Sequence, residues 1–523
     1  MSRFLALRPS AQAGPGAPHT LPQIVSPGPA CADSTSSAST KSAWLLPLML
    51  ALGGCGSLVP ATDTPRPPLR EDFRPTAVTG VATGAATGAA TGASTGGQAS
   101  AAPAPSHEWR GFFADARLDE VVATALDQNR SLRASAAAVE RVRAQYRVTA
   151  ADRLPEIGVG GSVTRQRTIN GEGATTTYGV NLGLASYEID LFNRLGSLEG
   201  AALSRFLAEQ ETQRSTRLSL AAEVATAWLS LATAQQRLAL NQELRDSQQR
   251  SLDLAERQYA LGAASGLDRA RARAAFESAR GDAAESVSAV TQARLQLELL
   301  VGQPLPDRLL PTATGTSSTT GGVDVTALPA VPGGLPADVL LQRPDLRAAE
   351  QRLRAAAFDV GAARAARFPR LTLTASAGTR SPDLDGLFKS GSGVWSIVPQ
   401  IDLPIFDGGQ RRAQVEVSEA SRQEALANYE SALQTAFREV ADALAVRDQL
   451  AERLDAQQAQ VDAAEQSQRL AERSYRLGGS SQLELLDAQR QLSTAKRALV
   501  TLRQTEQSNR VALLRALGGR WTQ

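Results

Sequence analysis

The chain has 523 residues, 42% of them apolar, and its 55 basic and 53 acidic side chains leave a net charge of +2. That balance carries no polyelectrolyte signal and points away from nucleic acid as a partner. Two His, both in or near a low-complexity N-terminal region, and two Cys, both within the first 55 residues, exclude a Ser-His-Asp triad, a His-built metal centre and a four-cysteine zinc site. No catalytic residue, metal ligand or cofactor is therefore expected. Aromatics at 4% with abundant Ala suggest closely packed helices.

Lys41 precedes an apolar run from Ala43 to Leu52, the size of a signal-peptide core and too short to span a bilayer as a helix. Leu52-Gly53-Gly54-Cys55 resembles the lipobox of bacterial lipoproteins, which implies a covalent lipid, such as palmitate, on Cys55. The absence of Asp after Cys55 favours the outer membrane by the same resemblance. An ordinary leader with a chance Cys is the alternative. The stretch before Lys41 is longer than such regions usually are, so the start of translation is expected downstream, and residues 1–54 are expected to be removed. From Val59 to Pro105 the chain is mostly Ala, Gly, Thr and Pro. Such a segment lacks the apolar surface needed to fold and reads as a flexible tether over 55–107.

The remainder is a tandem duplication. Asn129-Arg130-Ser131-Leu132 aligns with Arg343-Pro344-Asp345-Leu346, Leu154-Pro155 with Phe368-Pro369, and Asp190-Leu191-Phe192 with Pro404-Ile405-Phe406, all 214 residues apart. Residues 257–272 (RQYALGAASGLDRARA) match 473–488 (RSYRLGGSSQLELLDA) at an offset of 216. That period is far too long for a solenoid. The two copies are placed at 108–303 and 335–523, with a linker at 304–334.

Each copy reads helix, two strands, very long helix, turn, long helix. Ile157, Val159 and Val163, then Tyr178, Val180, Leu182 and Leu184, alternate with small or polar residues in the first copy. Leu371, Leu373, Ala375 and Ala377, then Trp395, Ile397, Ile401 and Leu403, do so in the second. This is the period of a strand with one apolar face. Loops holding Asn170-Gly171 and Ser381-Pro382 separate the strands of each pair. No Pro interrupts Arg194 to Tyr259 or Gln410 to Tyr475, and each stretch predicts a helix of about 100 Å. Leu220, Val224, Trp228, Leu231 and Leu238 follow seam spacing, as do Tyr429, Leu433, Phe437, Val440 and Leu444. Return helices are expected over 267–301 and 482–517.

The mature part has no apolar run of 18 residues, so any membrane crossing must use strands. Four strands cannot close a barrel alone, and an open edge in lipid costs several kcal/mol per unpaired group. The barrel has to be shared between copies of the chain.

The duplicated body, the segment Ser186-Tyr187-Glu188-Ile189-Asp190-Leu191-Phe192, the twice-used Tyr-x-Leu-Gly and Leu485-Leu486-Asp487-Ala488-Gln489-Arg490 resemble the outer-membrane factor (TolC-like) family. The lipobox and Leu517-Gly518-Gly519-x-Trp521 are most similar to its lipidated OprM/NodT-like branch. The resemblance implies a mainly α fold with a small transmembrane β part. It further implies a homotrimer with a twelve-stranded barrel in the outer membrane above a periplasmic helical barrel. Its implied role is the exit duct of a tripartite efflux pump for drugs or other small molecules. A periplasmic adaptor and an inner-membrane RND transporter are the implied partners, with outer-membrane lipid around the barrel. The exit duct of a metal-ion efflux or protein-secretion system is the nearest alternative. A lipid-anchored coiled-coil scaffold without a pore is the alternative of another class.

By the same resemblance, the hairpin tips carry adaptor contact: Tyr259, Leu261, Gly262 and Ser265, and Tyr475, Leu477, Gly478 and Ser481. A well-made turn would explain Gly and Ser equally. Leu483 and Asp487, one helical turn apart, match the aperture-lining pair. Asp487 also fits a solvated acid near a helix start. Arg271 is the first-copy equivalent of Asp487, and a pairing with Glu484 is expected to hold the tip shut. Trp395, Tyr178, Tyr187 and Phe388 are candidates for an interface girdle or for ordinary packing. Asp407-Gly408-Gly409 reads as a structural corner.

Overall fold

Apart from one added helix at the start, helices and strands follow the order that the sequence pattern predicts. The computed structural model describes residues 58–61, 113, 115–167, 173–311 and 337–519, all within one unit, Ser57–Gln523. Cys55 with its lipobox, the turn Asn170-Gly171, most of the tether and linker, and Trp521 lie outside the described residues.

Helices α1 (Ala116–Gln128) and α2 (Arg130–Ala151) come first. The Asp115 carboxylate accepts from the Arg117 amide at 2.9 Å and Asn129 Oδ1 from the Leu132 amide at 2.9 Å, so each helix begins on a side-chain cap. Strands β1 (Ile157–Arg167) and β2 (Ala174–Ile189) follow. Next come α3 (Arg194–Ala260) and α4 (Gly266–Val301). The second copy supplies α5 (Pro344–Ala365), β3 (Arg370–Ser381), β4 (Gly393–Asp402), α6 (Gln410–Arg476) and α7 (Gln482–Ala516). Both α3 and α6 run for 67 residues, about 100 Å. Three details differ from the sequence reading. Helix α1 is an extra element, Ser381 ends β3 rather than lying in the loop, and Leu403 lies just past β4.

One antiparallel sheet takes the order β1-β2-β3-β4. Its centre joins the two copies, because β2 pairs with β3. The registers place Ile157, Val159, Val163, Leu184, Leu182, Val180, Ala375, Ala377, Trp395, Ile397 and Ile401 on one face. The other face carries Ser162, Thr164, Thr177, Asn181, Thr372, Ser376, Arg380, Ser396 and Gln400. A bulge at Ser186, whose φ is 48°, keeps Tyr187 and Ile189 on the apolar side.

Buried apolar side chains gather where short helices cross long ones. Trp228, Leu231, Val224, Leu118, Val121 and Leu297 are fully buried together. The Trp228 indole donates to the Leu309 carbonyl at 3.2 Å. A second cluster joins Leu340, Leu346, Leu433, Val440 and Leu513. Of the predicted seam residues, Leu238 and Phe437 are only half-buried.

The duplication repeats one joint with different chemistry. Asn129 donates from Nδ2 to the Leu300 carbonyl at 2.7 Å, near the end of α4. Arg343, its aligned partner, donates to the Ala516 carbonyl at 2.8 Å, at the end of α7. Arg343 also holds Asp345 and Glu439, each at 2.7 Å. Burial works against its charge, but the bonds to these two carboxylates hold its guanidinium above the ordinary arginine value.

Leu58–Ala61, at the start of the expected tether, seats on the second copy. The Leu58 carbonyl accepts from Arg364 at 3.4 Å and the Ala61 carbonyl from Arg422 at 2.9 Å. Val59 lies over Gly361, where a Cβ would stand only 2.7 Å from its methyl group.

Arg343→Ala removes the cation shared by Asp345 and Glu439 and the bond to the Ala516 carbonyl; with both carboxylates partly open to water and Glu439 still beside Arg515, it should cost about 1–3 kcal/mol. Arg343→Lys should recover only part, since an ammonium cannot reproduce the fork. Urea or thermal unfolding followed by circular dichroism measures both, and a loss below about 1 kcal/mol would remove Arg343 from this role.

Candidate functional site

At the free end of each hairpin, a helix has to stop, turn and restart within five residues. Gly262 and Gly478 make the stop, with φ of 76° and 75°, values that side chains rarely tolerate. The Gly262 amide donates to the Tyr259 carbonyl at 3.0 Å, and that of Gly478 to Tyr475 at 3.0 Å. The restart uses serine caps. Ser265 Oγ accepts from the Asp268 amide at 3.1 Å. Ser481 Oγ accepts from the Glu484 amide at 3.3 Å, and Glu484 returns the bond to the Ser481 amide at 3.2 Å. This is a complete capping box.

These bonds account for Gly262, Gly478, Ser265 and Ser481 without any partner. They do not account for Leu261 and Leu477, which are 83% and 81% exposed at equivalent points of the two tips. Tyr259 is held by Arg269, whose guanidinium lies 4.2 Å from the ring centroid. Tyr475 instead crosses to the other hairpin and donates from its hydroxyl to Gln258 Oε1 at 3.1 Å.

Leu483 and Asp487 share the face of α7 opposite its packed side. Gln482, Leu485 and Ala488 are buried, whereas Leu483 is 51% exposed. Asp487 is bonded to Arg490 on one oxygen and accepts from Gln491 at 2.7 Å on the other. Within one chain the expected Arg271–Glu484 pair is not among the ion pairs of the described residues. Arg271 lies 3.9 Å from Asp268, one turn before it on α4, and Glu484 is engaged in the capping box. The local partner wins because both groups already lie on one helix face.

Sequence reasoning missed Gln258. The aligned position in the second copy is Ser474, so comparison of the repeats gives no hint of it.

The small clusters nearest the tips lie within single hairpins, whereas Val511 of α7 crosses to join the cluster around Trp228. Inside each, the seam is apolar: Leu252, Ala255 and Ala272 with Phe276 in the first, and Val461, Ala495 and Leu499 with Leu492 in the second. Between the hairpins the observed bonds join polar side chains. Gln248 donates to Gln489 at 3.0 Å, Arg237 to Thr501 at 2.6 Å, and Gln504 to Ser230 at 3.0 Å. Polar bonds of this kind exchange readily for water.

At the other end, strands hand over to long helices at acid-capped corners. Asp190 accepts from the Arg194 and Gly196 amides at 2.6 and 2.8 Å. Asp407 accepts from Gly409 and Arg411 at 3.0 and 3.2 Å. The Arg411 amide is the main cause that holds the Asp407 carboxyl below its usual range. Glu188, also missed from sequence, bonds Arg194 at 2.7 Å and Arg370 at 2.6 Å, tying β2, α3 and β3 together. Tyr178, Tyr187 and Trp395 stand on the apolar face of the sheet. Phe388 lies exposed in the β3–β4 connection.

Residues 121–303 and 335–519 match the family described as outer membrane efflux protein. The chain belongs to that family. Among its relatives, outer membrane protein OprJ of Pseudomonas aeruginosa is 38% identical over 91% of this chain and 95% of its own length. The cation efflux system protein CusC of Escherichia coli is 36% identical over 79% of this chain and 88% of its own length. The crystal structure of the open state of the MtrE outer membrane channel from Neisseria gonorrhoeae is 36% identical in sequence. It superposes with a TM-score of 0.70 over 79% of this chain and 90% of MtrE. The mainly α fold with a small β part is therefore that of outer membrane efflux proteins, and the outer membrane is where this chain works.

Proposed function

We propose that three copies of this chain form a passive exit duct for small molecules in the outer membrane, gated at the hairpin tips. One observation carries the reading. A four-stranded sheet, apolar on one face and polar on the other, ends in two strands whose outer backbone groups pair with no other strand among the described residues. In lipid these groups need a neighbour. Three sheets of four supply it and close a twelve-stranded barrel, and α3 and α6 continue below as a helical wall.

The duct performs no catalysis in this reading, and transport energy comes from an inner-membrane RND transporter through a periplasmic adaptor. Exposed Leu261 and Leu477 support adaptor contact, because apolar side chains at the extreme tips otherwise stay wetted. Leu483 and Asp487, facing away from the packed side of α7, would form an apolar ring and a carboxylate ring about the threefold axis. The Tyr475–Gln258 bond would hold the hairpins in the narrow state. A lipid on Cys55 would anchor the chain start. Cations as cargo are the second reading, favoured by the likeness to CusC.

Purified protein should conduct in planar bilayers, whereas a scaffold without a pore would give no current. Tyr475→Phe and Asp487→Ala should each raise basal conductance, the former by shifting the closed–open balance about five-fold per broken bond. Unchanged current in both would remove the gate. Leu261→Glu with Leu477→Glu should abolish efflux while leaving trimer yield and bilayer conductance intact; normal efflux would place the adaptor elsewhere. Cys55→Ala should eliminate labelling by radioactive palmitate, and persistent labelling would put the lipid on another residue.

A further inference from the structure

The positions of β1 that face the apolar side of the sheet are Ile157, Val159, Gly161, Val163, Arg165 and Arg167. The row stays apolar and then ends in two exposed guanidinium groups, at the end of the strand farthest from the helices. On β2 the same face continues opposite them with Thr176 and Ala174, so the neighbouring strand sets no acid beside them.

Their level in the membrane follows from strand geometry. Each residue advances about 3.4 Å, and a tilt near 40° leaves roughly three-quarters of that along the membrane normal. Arg165 and Arg167 therefore stand about 20 and 25 Å above Ile157. The apolar band of such barrels is about 25 Å tall, and the row starts at Ile157, the first residue of β1. Both guanidinium groups thus reach the outer limit of the hydrocarbon, on the side that faces lipid rather than the lumen. A planar fork of donors matches two phosphate oxygens at once, and two forks about 7 Å apart on one strand face suit one phosphorylated headgroup.

We propose that Arg165 and Arg167 bind the phosphate of an outer-leaflet lipid, giving each protomer one anionic-headgroup site on the outer rim of the barrel. The site rests on the barrel reading above. It requires nothing of the tips, the adaptor or the gate.

The test uses the full-length trimer in detergent, with bisphosphorylated lipid A and a dephosphorylated form carrying the same acyl chains as probes. Binding is read by native mass spectrometry and by the rise in melting temperature. The wild type should prefer the phosphorylated probe. The double variant Arg165→Gln, Arg167→Gln should bind it on the order of ten-fold more weakly and bind the dephosphorylated probe as before. Arg165→Lys with Arg167→Lys should retain part of the preference. Equal binding of the phosphorylated probe by the Gln variant overturns the site. So does a Gln variant that falls to monomers without lipid, since that assigns the arginines to contact between copies. Bilayer conductance of the same samples separates the two readings. A silent wild type sinks the barrel itself, whereas a conducting wild type with unaltered lipid binding in the variant sinks only this site.

Discussion

A backbone amide that faces hydrocarbon has no partner except another backbone. Both β1 and β4 present such a row at the edges of the sheet, and most other features answer to that constraint. The sheet needs copies of itself to be complete. Its apolar face must point to lipid and its polar face inward. The bulge at Ser186 matters because a one-residue change of phase, left uncorrected, would turn Tyr187 and Ile189 inward and Glu188 to the lipid. Instead Glu188 stays on the polar side, where Arg194 and Arg370 can reach it.

Below the sheet, the duplication preserves positions more faithfully than chemistry. A buried side chain at the head of α2 or α5 must satisfy a carbonyl near the end of the return helix. Asn129 does so with an amide and Arg343 with a guanidinium. Arg343 then carries a charge that demands Asp345 and Glu439 in turn. The same holds at the tips. Both restarts are capped by serine, but Ser265 leads to Asp268 and Ser481 to Glu484, and only the longer acid reaches back to complete the reciprocal bond. Each restart is therefore fixed by its own bonds, and the bonds observed between the hairpins join polar side chains.

Much of this was legible in the chain. Strand parity, the Pro-free stretches of α3 and α6, and the paired tips each rest on a local period or a repeated motif, and local rules survive into the fold. Partners across the structure were not legible. Gln258 meets Tyr475 across 217 residues, and Arg370 meets Glu188 across 182. Neither pair has a spacing that marks it. Where a long-range partner was expected, for Arg271, a nearby acid on the same helix was available at less cost in side-chain ordering. The seat of Leu58–Ala61 was not legible for a related reason. Composition shows that Leu58–Ala61 cannot fold alone, but says nothing of a groove made by residues 300 positions later.

That groove has a consequence for how the molecule comes into being. Leu58 waits on Arg364 and Ala61 on Arg422, separations of 306 and 361 residues. At about 5–20 residues per second, ribosomes need on the order of tens of seconds to supply them. Once both copies are present, that contact ties the first described residues of the body to its second copy across more than 300 positions.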